Sequence, residues 1–172
     1  MRGSTSLAEK LGTVEFSQLI NQFYKTASQI MVESDALIDK IVGDQAAGIY
    51  VPGFAGAQHA RRAIQAGRKL LAATGHGDEN APWIPLGVGI HTGTAYVGSV
   101  GSKDGTMDIT VLGDAANTAA HLASEAKIGE ILISDTANRA ANLDFGSLEM
   151  RQLALKGKSQ RVSVHVLAEY GS

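Results

Sequence analysis

The chain of 172 residues contains no cysteine. That excludes disulfides and thiolate metal sites, and it fits a reducing compartment. Proline is scarce at three residues, and two of them, Pro82 and Pro85, share one polar loop. No apolar run approaches the ~20 residues that cross a bilayer. The N-terminal stretch MRGSTSLAEKLG holds no apolar signal core. Neither sign of charge dominates: the formal net charge is -2. Bulk attraction to nucleic acid or to an anionic membrane is therefore not expected. These absences read as a soluble, cytoplasmic domain with neither nucleic acid nor membrane as a partner.

What is present is an ordinary globular balance, 44% hydrophobic and 19% charged, with no internal repeat. A single domain over residues 1–172 follows. Glycine is in excess, at 20 residues, about 12% against a usual ~7%. Such an excess marks tight turns, or backbone that approaches something closely.

The periodicity gives the element order. Phe16, Leu19, Ile20, Phe23, Ala27, Ile30 and Met31 recur in steps of three and four, so Val14 to Met31 is expected as a helix. Ala36–Val42 and Ala46–Val51 flank Gly43-Asp44 as a hairpin, which Pro52-Gly53 ends. Helical spacing returns from Ala57 to Thr74. Strands are expected at Leu86–Ile90, Ala95–Val100 and Ile109–Leu112. A helix follows over Ala115–Ala126, with Asp114 as its N-cap. Glu130–Ser134 reads as a strand, Thr136–Ala141 as a short helix, and Leu148–Leu155 and Arg161–Ala168 as a final pair of strands. Helices alternating with hairpins imply an α+β sandwich, with helices packed on a mostly antiparallel sheet.

Several chemistries are excluded. Gly157-Lys158-Ser159 resembles the end of a P-loop, but the required upstream glycine is Gln152. Gly87, Gly89 and Gly93 have the wrong spacing for a dinucleotide loop. There is no nucleophile elbow and no HExxH helix. The polar residues that remain are Lys40 within a strand, Asp44 after a turn glycine, the four-spaced stripe Asn117, His121 and Glu125, and Lys156 in a terminal turn. Taken singly, each reads as an ordinary surface residue.

Jointly they sit in five ordered strings: DKIVGD, LGVGIHTGTAYVGSVGS, ITVLGDAANTAAHL, KIGEILIS and LALKGK. Together the strings resemble the catalytic domain of the class III nucleotidyl cyclases, which make cyclic AMP from ATP or cyclic GMP from GTP. The resemblance covers about Arg2 to Leu167. It implies a ferredoxin-like core with a C-terminal extension. It also implies a head-to-tail homodimer whose active sites draw on both chains, and a fused or separate sensor domain as regulator. By the same resemblance Asp44 aligns with one of two metal-binding aspartates, for a pair of Mg²⁺ or Mn²⁺ ions. Lys40 and Thr110 align with the purine-reading pair, in the version that selects adenine. Asn117 aligns with the residue that positions the ribose, and Lys156 with the lysine that binds the triphosphate. These residue types suit the reaction: hard carboxylate oxygens hold such ions, a lysine donates to adenine N1, and a cation offsets growing phosphate charge.

Two departures from the family pattern bear on catalysis. Met1-Arg2-Gly3-Ser4-Thr5 matches only the tail of the family's first metal motif, Phe-x-Asp-x-Arg-Gly-x-Thr. The first strand and its aspartate are thus expected immediately before Met1. His121 stands where the family has a transition-state arginine. The resemblance therefore leaves two readings: an adenylate cyclase, and a degenerate non-catalytic module that binds nucleotide or dimerises and regulates a partner.

Overall fold

A computed structural model describes residues 1–78, 80–101 and 107–168. The chain opens with α1, Ser4–Glu33, which runs well N-terminal of the expected start. Apolar periodicity begins only at Phe16, so the first turns gave no signal. Gly12, at φ 76 and ψ 168, kinks the helix and divides it. Phe23 and Ala27 are its buried contacts.

The hairpin follows as β1, Leu37–Val42, and β2, Gln45–Ile49. Gly43 turns it at φ 60, in the left-handed region that favours glycine. Pro52 does end the hairpin, but it also starts a short helix, α2, Pro52–Ala55, at a position where its missing N–H is harmless. Then come α3, His59–Ala73; β3, Val88–Ile90; β4, Tyr96–Gly101; and β5, Met107–Leu112. The chain closes with α4, Asp114–Glu125; β6, Glu130–Ser134; α5, Asp135–Ala141; β7, Glu149–Leu153; and β8, Val162–Ala168.

This is an α+β architecture, as the periodicity implied, but its strands form three groups. The central sheet has the order β3-β6-β8-β7, antiparallel except for the parallel pair β3–β6. The hairpin β1–β2 and the ribbon β4–β5 stand as separate two-stranded units. Among the described residues β2 ladders only with β1, and β3 only with β6. Met1 and Arg2 lie between them: the Met1 amine donates to the Asp44 carbonyl at 2.8 Å, and the Arg2 N–H to the Pro85 carbonyl at 2.8 Å.

The main core joins α1, α3 and α5 to β3 and β6 through Phe23, Ile64, Leu71, Ile90, Ile131 and Ile133. A second cluster, including Leu122, Leu132, Leu155 and Val164, lies under α4. Glycine has a packing role here. A Cβ on Gly89 would stand inside the backbone of Ala119–Ala123, and one on Gly87 would meet the Ala126 carbonyl at 2.7 Å. Glycine at both positions lets α4 lie directly on β3. No described helix is long and apolar enough to cross a membrane.

Candidate functional site

Asp44 lies in the hairpin turn, after Gly43, and is half-buried. Its Oδ2 accepts a hydrogen bond from the Ser4 hydroxyl at 2.7 Å, at the first residue of α1. The Tyr24 hydroxyl donates to the Gly43 carbonyl at 2.7 Å, fixing the turn from the other side. These residues wall a cleft of about 630 Å³ between the hairpin and α1. Its oxygen donors are hard, as a divalent cation requires. The described residues contain no cluster of three or more His, Asp or Glu that could hold a metal ion.

Lys40 lies four residues earlier, on β1, with its side chain 58% exposed. The ladder is irregular here: Ile38 pairs with Gly48 and Lys40 with Ala47, so Asp39 is the extra residue of a bulge. The Asp39 side chain is only 4% exposed, and its Oδ2 stands 3.6 Å from Lys40 Nζ. Its Oδ1 accepts the Val111 N–H at 3.0 Å, linking the hairpin to β5. Sequence reasoning passed over Asp39. The signal was available: it occupies an inward position between Leu37 and Ile41, where a carboxylate needs a partner. Thr110 precedes Val111 on β5 and pairs with Gly98; its side chain lies outside the described residues.

Asp114 is the first residue of α4 rather than its cap. Gly113 takes the cap position at φ 131, a conformation closed to aspartate, and Asp114 instead pairs with the Lys158 ammonium. Its negative charge then sits beside the positive end of the helix. Asn117 is exposed one turn on, and His121 is half-buried one turn further. At the far end Ala126 caps the helix through its N–H to the Leu122 carbonyl, and the Arg2 guanidinium donates to the next two carbonyls, those of Ala123 and of Ser124, at 2.6 Å for the latter. Lys156 is exposed in the turn after β7, between buried Leu155 and Gly157 at φ 82. The Lys158–Asp114 pair therefore brings the Lys156 turn to the N-terminal end of the helix that carries Asn117 and His121. Lys158 was also missed, because a second lysine in a turn carries no pattern of its own.

His91, at the end of β3, meets the Ser134 hydroxyl at 2.9 Å through Nδ1. Burial holds its pKa below the ordinary value, the Lys158 charge adds to that, and Asp114 opposes it. Thus Asn117, His121 and Lys156 are gathered around α4, Lys40 is tied to the strand bearing Thr110, and Asp44 occupies a separate cleft.

Comparison with known proteins shows the family of this fold. Residues 1–169 match the sequence profile described as the adenylate and guanylate cyclase catalytic domain. The chain belongs to that family. An adenylate cyclase of Anabaena cylindrica is 29% identical over 96% of this chain and 34% of its own length. The chain thus spans about a third of that relative. Among solved structures, the adenylyl cyclase CyaB from P. aeruginosa superposes with a TM-score of 0.84 at 29% identity, covering 96% of this cyclase domain and 89% of that chain. The guanylyl cyclase Cya2 gives 0.86 at 26% identity, covering 100% and 89%. Members named for either purine thus share this fold.

Proposed function

We propose that this domain is an adenylate cyclase, converting ATP to 3′,5′-cyclic AMP and pyrophosphate in intracellular signalling. The observation that carries the reading is the Lys158–Asp114 pair. It sets the turn of Lys156 against the helix end that bears Asn117, so a triphosphate and its ribose find their partners side by side.

In the reaction the ribose 3′-oxygen attacks the α-phosphorus, a P–O bond to the β-phosphate breaks, and the 3′-hydroxyl proton leaves. Lys40 and Thr110 read the adenine, with the Lys40 ammonium donating to N1. Asn117 orients the ribose and Lys156 holds the triphosphate. His121 stands where the family places an arginine, and as a shorter side chain it gives a slow enzyme.

Asp44 would hold Mg²⁺ or Mn²⁺ through its carboxylate. Such an ion, when bound, polarises the attacking hydroxyl and neutralises phosphate charge. The donor set at Asp44 suits one ion; a pair needs a second carboxylate.

The cleft at Asp44 is walled by the hairpin and α1, without Asn117, His121 or Lys156. A site completed by a second copy of the chain, head to tail, accounts for that separation. An attached sensor domain would set its activity. The competing reading, a nucleotide-binding module without turnover, is favoured by His121 at the arginine position.

Lys40→Glu tests the purine assignment. Guanine needs an acceptor there, so the variant is expected to lose ATP turnover and gain GTP turnover. An unchanged base preference removes Lys40 from the purine pocket.

A further inference from the structure

The two residues assigned to the purine sit on different two-stranded units, and among the described residues those units share no ladder. Lys40 is on the hairpin and Thr110 on the ribbon β4–β5. Base selection needs both held in one geometry, because a donor or acceptor displaced by 1 Å no longer discriminates. Something must fix one unit against the other.

We propose that Asp39 is the positioning residue of the purine pocket, holding Lys40 and the Thr110 strand in register and thereby setting the preference for ATP over GTP. The inference rests on the adenylate cyclase reading above.

Three features carry it. The bulge between Ile38 and Lys40 places the Asp39 carboxylate inside the fold at 4% exposure, while the next residue, Lys40, stays 58% exposed. One carboxylate oxygen accepts the Val111 N–H at 3.0 Å. That N–H belongs to the same planar peptide unit as the Thr110 carbonyl, so the bond fixes the orientation of the backbone on which Thr110 is mounted. The other oxygen stands 3.6 Å from Lys40 Nζ. It restrains the ammonium without burying it, which leaves the charge free to face a ligand. A charge-assisted bond to a buried carboxylate is stronger than a neutral one, as a joint between two packed ribbons without a common ladder requires. Asp39 need not touch the nucleotide; it acts through the two residues that do.

The experiment measures kcat and KM for ATP and for GTP, with Mn²⁺, in the wild-type chain, Asp39→Ala and Asp39→Asn. The wild type is expected to prefer ATP. Asp39→Ala is expected to raise the KM for ATP by about tenfold and to shrink the ATP-to-GTP ratio of kcat/KM by a similar factor, with kcat changing less. Asp39→Asn keeps an oxygen for the Val111 N–H but turns an NH₂ toward Lys40. It is expected to recover at least half of the lost selectivity on a logarithmic scale. If Asp39→Ala does not fold, the isosteric Asp39→Asn must still show a reduced ratio. A purely structural role would reduce the active fraction for both nucleotides alike, so an unchanged ratio in both variants overturns the proposal. A wild type that converts ATP and GTP equally also overturns it, while leaving the cyclase reading in place. A wild type that neither binds nor converts either nucleotide overturns the cyclase reading, and this inference with it.

Discussion

Ser4 and Asp44 lie 40 residues apart in sequence, and the Ser4 hydroxyl donates to Asp44 Oδ2 at 2.7 Å. The bond joins the first turn of α1 to the hairpin turn and fixes the rotamer of the proposed metal ligand. Losing a partner that orients a ligand typically weakens metal affinity by ~10–100-fold. Ser4→Ala is therefore expected to raise the Mn²⁺ concentration for half-maximal nucleotide binding by about tenfold, measured by titration at fixed ATP. An unchanged midpoint removes Ser4 from the metal site.

His76 gives a pH dependence of stability whose sign follows from its bonds. The side chain is buried; Nδ1 lies 3.2 Å from the Leu71 carbonyl and 3.0 Å from the Thr74 hydroxyl, and Nε2 lies 3.3 Å from the Leu86 nitrogen. The neutral ring protonated on Nδ1 fits both ends, donating to Leu71 and accepting from the Leu86 N–H. A proton on Nε2 would set donor against donor. Burial accordingly lowers the His76 pKa, with the Leu71 bond opposing. The unfolded chain, with histidine near ~6.5, takes up its proton first as pH falls. The contribution is thus fully present above about pH 6.5 and is lost as pH drops through the lowered folded value. His91 is shifted in the same direction. Urea midpoints are expected to fall between about pH 7.5 and 5.5, and to fall less in His76→Gln. Equal slopes in the two proteins contradict this role.

His121 is the residue at which a gain of function is expected. It stands half-buried on α4, one turn beyond Asn117. Removing a transition-state donor typically costs about 10²–10³ in rate, so restoring one should return part of that. His121→Arg is expected to raise kcat by at least tenfold with little change in KM, read from steady-state kinetics on ATP. A lower kcat would show that the imidazole itself is the working group.

Much of this was legible in the sequence, for reasons that also explain what was not. Phe23 and Ile64 belong to apolar stripes at helical spacing, which burial imposes, so α1 and α3 could be read directly. The first turns of α1 carry no such pattern, and the kink at Gly12 lies where the apolar stripe has not yet begun. Asp114 looked like a cap because aspartate suits that position; the structure gives the cap to Gly113, whose φ of 131 aspartate would resist. Asn117, His121 and Lys156 were singled out by motif. The pairing of Lys158 with Asp114 was not, because contacts between distant segments leave no periodic trace. Asp39 falls between these cases: its inward position was readable, and its partner Val111, 72 residues away, was not.

The most direct measurement incubates the purified chain with ATP and Mn²⁺ and resolves the products by chromatography. The expected products are 3′,5′-cyclic AMP and pyrophosphate in equal amounts, formed slowly and lost in Asp44→Asn. ATP bound without any cyclic AMP, even after a Phe-x-Asp strand is joined before Met1, would contradict the adenylate cyclase reading and leave the non-catalytic module in its place.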